Sequence, residues 1–408
     1  MTRRMASFSR PVVAAVVILA GARAAPAQQV VKLGEGETLT ISGFINATFF
    51  TDRGLFGNFG QGQNAEWAAA TQPTTDKFFT DADVRNTRIN FTFSGSPVLG
   101  HWAPKATLES DFFGTFTSAP PFGDEQPQMR IRFAYVDLTN GRTTVRIGQF
   151  WAPLFAETPV SLTHIAFPLG YGSTGKIGWR FPGVFLYHDL TVGKPVNVQL
   201  QLAAFKGSGP AVAAAGDTAA VRNTGSGEAS GLPQLEALLN FSRKSAKLAW
   251  SGYVVGHLDW KDTTGTGVAG SNLTGWAVEA GGSIAPGSLT LHGNFYYGKD
   301  IGQQFAHITQ FTVRNIRGWG AWAQAGYDFD PHWSLWAFYG MDQPNARRYT
   351  QETGLALARQ LSHVGDALLR FRAGRYALGL EYFRAATRYS VTGPASADQY
   401  ALSVLYTL

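Results

Sequence analysis

Residues 399–408 read Gln-Tyr-Ala-Leu-Ser-Val-Leu-Tyr-Thr-Leu (QYALSVLYTL), and this stretch decides the fold. Every second residue is large and apolar: Tyr400, Leu402, Val404, Tyr406 and Leu408. Between them lie Gln399, Ala401, Ser403 and Thr407, and Leu405 is the only apolar exception. Because successive side chains of a β-strand point to opposite faces, the stretch predicts a strand with one apolar and one polar face.

The same period of two recurs from Glu37 onward, in segments of about ten residues, the length of a transmembrane β-strand. We count sixteen such segments. Their predicted bounds are 37–50, 82–94, 103–113, 128–138, 143–150, 180–190, 195–205, 233–242, 246–260, 272–284, 288–298, 316–328, 333–342, 363–372, 375–388 and 398–408.

The connections between these segments alternate between short and long. The short ones include 138–143, 192–195, 242–245, 285–288, 328–333 and 372–375. The long ones are 51–81, 114–127, 151–179, 206–232, 261–271, 299–315, 343–362 and 389–397. Short turns at one end of the barrel and long loops at the other are typical of a transmembrane up-and-down β-barrel. In a soluble β-sandwich, short and long connections are not expected to alternate along the chain.

The composition also favours a β-barrel in a membrane. Aromatic residues make up 13% of the chain and charged residues only 15%, against about 25% charged in an ordinary soluble domain. In segment 316–328, Trp319 and Tyr327 lie on the same face as three alanines, as expected for two aromatic girdles around an apolar band. We therefore predict an all-β fold: a transmembrane antiparallel barrel of about sixteen strands.

The N-terminus predicts export. Basic residues precede an apolar run at 12–20, and Ala25-Pro26-Ala27 is a small-residue cleavage pattern. The run is about half the length of a membrane-spanning helix, so the pattern favours a secretory signal peptide over residues 1–27. Cleavage after Ala27 is our prediction, with Ala24 as the alternative. The mature barrel domain would then be 28–408.

Loss of the signal peptide changes how the charge is interpreted. The formal net charge of +6 falls to +2 when the four arginines of the signal are removed, so the basic pI gives no reason to expect a nucleic-acid partner. The chain has no cysteine, so an exported protein of this size is stabilised without disulfides.

Basic residues dominate the polar faces of the second to sixth predicted strands. The predicted inward cations are Arg88, Lys105, Arg130, Arg132, Arg146 and Arg180. The acids on the same faces are Glu109 and Asp111. A positive wall would favour anions in a confined lumen. Alternatively, the arginines brace the wall, with the two acids as their counter-ions.

The loop after the fifth predicted strand is unusually apolar, beginning Phe150-Trp151-Ala152-Pro153-Leu154-Phe155 and continuing to Pro168. Apolar loops avoid bulk water, so we predict that residues 151–168 fold into the lumen and narrow it. The constriction residues would include Trp151, Pro153, Phe155 and His164. The alternative is a surface loop that packs against a neighbouring subunit.

Motifs for catalysis or metal binding are weak. Ser161 and His164 lie close in sequence, but no nucleophile-elbow motif surrounds Ser161. His257, Asp259 and His292 fit no recognised metal spacing, and there is no phosphate-binding glycine loop. We therefore expect no enzymatic activity, no metal and no cofactor. An outer-membrane barrel enzyme, such as a lipase or protease, and a closed structural or adhesin barrel remain the alternatives.

Several stretches carry a family resemblance. They are Arg85–Phe91 (RNTRINF), Leu108–Gly114 (LESDFFG), Arg130–Tyr135 (RIRFAY), Arg146–Trp151 (RIGQFW) and Arg180–Val184 (RFPGV). Over about residues 85–190 the chain resembles the DcaP-like trimeric outer-membrane porins and, more remotely, the phosphate-selective porins.

The resemblance implies a sixteen-stranded homotrimeric porin in the bacterial outer membrane, reached after Sec-type export. It also implies passage of small anionic solutes such as dicarboxylates, and it assigns the constriction to Arg88, Arg130, Arg132, Arg146 and Arg180. Two features depart from the family pattern. Residues 28–36 are too short for the N-terminal coiled coil of some members, and the chain ends in Leu408 where many outer-membrane proteins end in Phe.

Overall fold

The computed structural model describes residues 29–57, 64–114, 127–209, 225–245, 248–264, 273–301, 315–356 and 358–408. The predicted signal peptide, 1–27, lies outside the described residues. The strands and helices are, in order, β1 Gln29–Gly34, β2 Glu37–Arg53, β3 Phe56–Gly57, β4 Trp67–Ala68, β5 Phe78–Asp83, β6 Arg88–Ser94, β7 Ala103–Asp111, β8 Arg130–Asn140, β9 Thr143–Trp151, β10 Arg180–Asp189, β11 Asn197–Phe205, α1 Ser226–Ala229, β12 Gln234–Arg243, β13 Leu248–Lys261, β14 Leu273–Pro286, β15 Leu289–Lys299, β16 Arg317–Asp328, β17 Trp333–Pro344, α2 Ala346–Thr353, β18 Arg359–Ala373, β19 Tyr376–Tyr389 and β20 Gly393–Thr407.

The long strands form a closed antiparallel barrel. From β6 to β20 each strand pairs with the next, and β20 then pairs with β2, from Phe44 opposite Thr407 to Arg53 opposite Asp398. On its other side β2 pairs with β5 and β6, which share one strand position. The barrel therefore has sixteen strands, as predicted. Closure leaves no free sheet edge, as a β-protein in lipid requires.

Several predicted bounds differ from the structure, and three of the differences change the description of the barrel. The predicted strand 82–94 is interrupted between β5 and β6, where the Asp83 carboxylate accepts hydrogen bonds from the backbone N–H (2.8 Å) and Nε (2.9 Å) of Arg85 and bends the chain. The predicted long connection 389–397 is only 390–392, because β20 begins at Gly393. Pro394 at its start is tolerated, since proline can occupy the first residues of a strand. Trp151 ends β9 instead of starting the loop.

Residues 29–34 form β1, a strand that the sequence did not predict. It pairs with the first residues of β2, with Gln29 opposite Ile41. The C-terminal residue reaches the neighbouring part of β2, where the backbone N–H of Leu408 donates to the carbonyl of Gly43 at 3.0 Å. The N-terminal strand and β20 thus follow one another along the same side of β2.

The barrel is apolar outside and polar inside. On β20, Leu402 and Val404 are 41% and 42% exposed, whereas Ser403 and Gln399 are buried in the interior. The same alternation runs through β16, where Trp319, three alanines and Tyr327 lie on the outer face. Soluble proteins show the reverse pattern, so the outer surface suits lipid. No helix in the described ranges is long and apolar enough to cross a membrane.

Candidate functional site

Strands β6 to β10 place the six predicted cations on the inner wall. Two of them share a pair of carboxylates. Arg130 donates two hydrogen bonds to Asp111, at 2.9 and 2.6 Å, and Arg132 bridges Asp111 (2.9 Å) and Glu109 (2.8 Å). Arg88 lies 3.6 Å from Glu109 and completes this network. Paired, planar guanidinium–carboxylate contacts hold the side chains in fixed positions.

A second network lies nearer to the short turn between β8 and β9. Arg146 donates two hydrogen bonds to Asp137, at 2.7 and 3.0 Å, and Lys105 lies 3.2 Å from the same carboxylate. Asp137 was not predicted to face the lumen, because it has the opposite parity to Arg132. The pairing of β7 with β8 slips by one residue between Glu109 and Ser110, so that Arg132 and Asp137 both point inward. Such β-bulges cannot be located from alternation alone.

Arg180 differs from the other five cations. Its guanidinium lies over the rings of Trp179 (4.3 Å) and Trp151 (4.8 Å). Within the described part of the chain its Nε and Nη1 have no hydrogen-bond partner although the residue is buried. Cation–π contacts replace the carboxylate that each of the other predicted cations has.

The exposure of these charges is unequal. The side chains of Arg88, Lys105 and Arg130 are 18%, 26% and 22% exposed. Asp111 and Asp137 are fully buried and Glu109 is only 10% exposed. The carboxylates therefore lie behind the basic groups, and the charge that this wall presents to the lumen is positive.

The loop after β9, residues 152–179, crosses the interior of the barrel. Its backbone contacts side chains on strands far from β9: the N–H of Leu154 donates to Glu236 of β12 at 2.8 Å, and the carbonyl of Gly175 accepts from Asn294 of β15 at 3.0 Å. Asn46 of β2 donates to the carbonyl of Leu162 at 3.2 Å. Most of the loop is buried.

Inward-facing residues of the opposite wall hold the tip of the loop. The amide of Gln324 on β16 both accepts from the N–H of Val160 (2.7 Å) and donates to its carbonyl (2.8 Å). The Glu381 carboxylate on β19 accepts from the backbone N–H groups of Leu162 (3.2 Å) and Thr163 (3.0 Å). These contacts satisfy backbone groups that would otherwise be buried without partners.

Glycines on the wall make room for the loop. A Cβ atom at Gly320 of β16 would lie 2.7 Å from the Cα of Gly175, and one at Gly340 of β17 would lie 2.8 Å from Thr174. Gly175 itself has φ of +85°, a left-handed conformation that favours glycine. Glycines at inward-facing positions of β16 and β17 are the one local sign in the sequence of these strands that another segment packs against them.

The predicted constriction residues lie together only in part. Trp151 stacks on Phe155, with ring centroids 3.6 Å apart, and Pro153 is buried beside them. His164 is on the other side of the lumen, where it stacks on Phe383 of β19 at 4.5 Å. Burial lowers the pKa of His164 to about 3, so this imidazole is neutral at physiological pH.

Residues 64–69, which follow β2, also enter the barrel and were not predicted to do so. The N–H of Ala68 donates to Thr387 of β19 at 3.2 Å, and the hydroxyl of Tyr389 donates to the carbonyl of Ala68 at 2.7 Å. Arg359 lies over the ring of Trp67 at 3.9 Å. Two loops thus contribute residues to the interior.

Ser161 and His164, the weak catalytic candidates in the sequence, do not form a nucleophile–base pair in the described residues. The hydroxyl of Ser161 donates to Glu381, and neither ring nitrogen of His164 has a hydrogen-bond partner there. In the same ranges, no group of three or more His, Asp or Glu residues could hold a metal ion.

Comparisons with known proteins agree on the fold. The sequence matches no protein-family model and no curated protein. Among solved structures, the outer membrane channel DcaP of Acinetobacter baumannii is similar with a TM-score of 0.64 and 17% identity, over 93% of this chain and 99% of that one. The chain has the porin fold.

Two further structures support this conclusion. The anion-selective porin from Comamonas acidovorans has a TM-score of 0.54 and 12% identity, over 91% of this chain and 100% of its own. OmpF of Salmonella typhi has a TM-score of 0.55 and 11% identity, over 93% of this chain and 100% of its own. The porin-like barrel predicted from the sequence is confirmed.

Proposed function

We propose that this protein is an outer-membrane porin through which small hydrophilic solutes diffuse passively. Support comes from a closed sixteen-stranded barrel whose polar side chains face inward and whose apolar side chains face outward. A barrel of this size is wide enough to enclose water. Export by the signal peptide at 1–27 and insertion into the bacterial outer membrane are part of the proposal.

The loop 152–179 narrows the lumen in this proposal. The supporting observation is that its hydrogen bonds join it to β2, β12, β15, β16 and β19, so it spans the interior from wall to wall. Solutes would pass beside this loop and along the basic wall of β6–β10, where the partly exposed side chains of Arg88, Lys105 and Arg130 lie.

The proposed preference for anions rests on one observation. On that wall the side chains of Arg88, Lys105 and Arg130 are more exposed to the lumen than the carboxylates with which they pair. Carboxylates that pair with the arginines are buried behind them, so a passing solute meets cations first. Elsewhere on the inner wall, Glu236 of β12 and Glu381 of β19 are buried and occupied by loop N–H groups. Guanidinium forks suit carboxylates, so small dicarboxylates are the solutes we propose.

We also propose that the protein is a homotrimer. The support is analogy of fold: one similar structure is the trimer form of OmpT from Vibrio cholerae, with a TM-score of 0.53 and 12% identity. Trimeric assembly would bury part of the apolar outer surface of each barrel.

Uptake by proteoliposomes tests the proposed function. Vesicles that contain the purified protein should take up a small dicarboxylate faster than a diamine of similar length, and empty vesicles should take up neither. Faster uptake of the diamine would contradict the anion preference, and no uptake of either solute would contradict the channel.

A further inference from the structure

His292 of β15 points into the barrel and joins the wall to the loop 152–179. Its Nδ1 lies 2.8 Å from a carboxylate oxygen of Glu157 in the loop. Its Nε2 lies 2.8 Å from the amide oxygen of Gln324 on the next strand, β16. The side chains of His292 and Glu157 are only 5% and 9% exposed. Both ring nitrogens therefore depend on protein partners, because water has little access to them.

The contacts of Gln324 determine which atom of its amide faces the histidine. The backbone N–H of Val160 donates to one end of this amide at 2.7 Å, and the carbonyl of Val160 accepts from the other end at 2.8 Å. An N–H can donate only to the amide oxygen, and this oxygen is the atom that lies beside His292. Because the oxygen has no hydrogen to give, the Nε2 of His292 carries a hydrogen and donates it.

The contact between His292 and Glu157 needs a second hydrogen. A neutral imidazole has one hydrogen on its nitrogens, and here that hydrogen is on Nε2, which leaves a lone pair on Nδ1. A lone pair and a carboxylate oxygen 2.8 Å apart repel each other. The contact is therefore attractive only when a proton lies between Nδ1 and Glu157. This holds whether the proton is bonded to the imidazole or to the carboxyl group, since the two groups share it.

We propose that His292 is a positioning residue of the constriction, and that it holds the loop only while this shared proton is present. The inference rests on the proposed function, in which the loop narrows the lumen. When the proton is lost as the pH rises, the contact changes from attraction to repulsion. A buried carboxylate without a hydrogen-bond donor is costly, so the segment around Glu157 then moves towards water and the loop becomes more mobile.

The groups around the pair do not take over the role of the histidine. The rings of Trp322 and Trp336 lie edge-on to His292, with centroids 5.2 and 6.0 Å away, and carry no charge. In the part of the chain that the structure describes, the other titratable groups that interact with Glu157 are Lys176, Glu279 and Tyr253. The ammonium group of Lys176 makes no hydrogen bond within those ranges, so it does not replace the contact with His292.

Spin labelling tests the hold on the loop directly. The chain has no cysteine, so Thr158→Cys carries one nitroxide label, at an exposed position next to Glu157. The nitroxide does not titrate. Its electron paramagnetic resonance spectrum is recorded in detergent at about pH 6 and about pH 9.5, because histidine ordinarily changes its charge near neutral pH. The same label is placed in three backgrounds: His292→Gln, Glu157→Gln and, as the control, His188→Gln, whose histidine contacts Thr143 and not the loop.

The mobile fraction of the label should at least double between the lower and the higher pH when His292 and Glu157 are both present, and the His188→Gln control should show the same rise. In His292→Gln and in Glu157→Gln the spectrum should not change with pH, and either variant decides if the other fails to fold. An unchanged spectrum with both residues present, or a rise that persists in a folded variant of the pair, would overturn the proposal. Conductance is a separate readout, so a barrel that does not conduct would contradict the channel and leave this test intact.

Discussion

The Ser161 hydroxyl, at the tip of the loop inside the barrel, donates a 2.5 Å hydrogen bond to the Glu381 carboxylate on β19. The two residues are 220 positions apart in the chain. The same carboxylate accepts two backbone N–H groups of the loop, so one buried acid holds the loop tip to the wall. Hydrogen bonds to a charged group contribute about 1.5–3 kcal/mol each.

Replacement of Glu381 should therefore loosen the loop. In Glu381→Gln the carboxylate that accepts three donors becomes a neutral amide with one acceptor oxygen. We expect more frequent spontaneous conductance steps in single-channel recordings. Glu352→Gln, on the exposed helix α2, is the control and should give wild-type traces. Identical traces for both variants would mean that Glu381 does not fix the loop.

Shortening the loop tests its role as the constriction. Removal of residues 157–163 takes away the anchors to Gln324 and Glu381 and should raise single-channel conductance, since the loop then no longer reaches the far wall. Removal of residues 350–352 of helix α2, which leaves Tyr349 in place against the buried residues Leu154 and Ile177, is the control. A folded loop variant with unchanged conductance would show that the narrowest point lies elsewhere.

The outward position of Leu402 leads to a prediction about stability. Arg in place of a lipid-facing residue near the membrane midplane costs about 2–4 kcal/mol. Leu402→Arg should lower the free energy of unfolding in urea by that amount, whereas Gln201→Arg, on the inner face of β11, should cost much less. Similar costs at both positions would contradict the assigned faces. Ser403 is unsuitable as the control, because it is buried between Thr48 (2.7 Å) and Thr163 (3.0 Å).

Arg132 should matter more for stability than any exposed arginine. Its side chain is 2% exposed and bonded to both Glu109 and Asp111. Removing one partner from a buried ion network costs about 3–5 kcal/mol, because the remaining charges lose their compensation. Arg132→Met should show this loss in urea unfolding. Arg53→Gln breaks an exposed pair with Asp76 and should leave the free energy of unfolding almost unchanged, because water screens the pair. Equal costs would contradict the burial of the network.

The barrel could be predicted from the sequence because the alternation of apolar and polar residues is visible within each single strand. Alternation such as that from Tyr400 to Leu408 shows the strand and its outer face without knowledge of the partner strand. The interruption of the strand at Asp83 and Arg85 was not predicted, because it depends on a hydrogen-bonded turn within an otherwise alternating segment.

The interior was less predictable because its contacts are distant in sequence. The alternation of side chains correctly predicted that Arg130, Arg132 and Glu109 point inward. Asp137 was not predicted to point inward, because a β-bulge changes which residues of β8 face the lumen. Nothing near Glu381 or Gln324 shows that they bind loop residues more than 160 positions away. Alternation gives the direction in which a side chain points, and only the folded chain shows what it meets.

The reversal potential across a KCl gradient tests the claim that the basic wall makes the pore favour anions. Salt screens exposed charges, with a Debye length of about 10 Å at 0.1 M against about 3 Å at 1 M, so the low-salt side should be near 0.1 M. Wild type should favour chloride. Arg88→Gln combined with Arg130→Gln should lose most of that preference, while Arg53→Gln should keep it. A cation-selective wild type, or a double variant with unchanged selectivity, would contradict the claim.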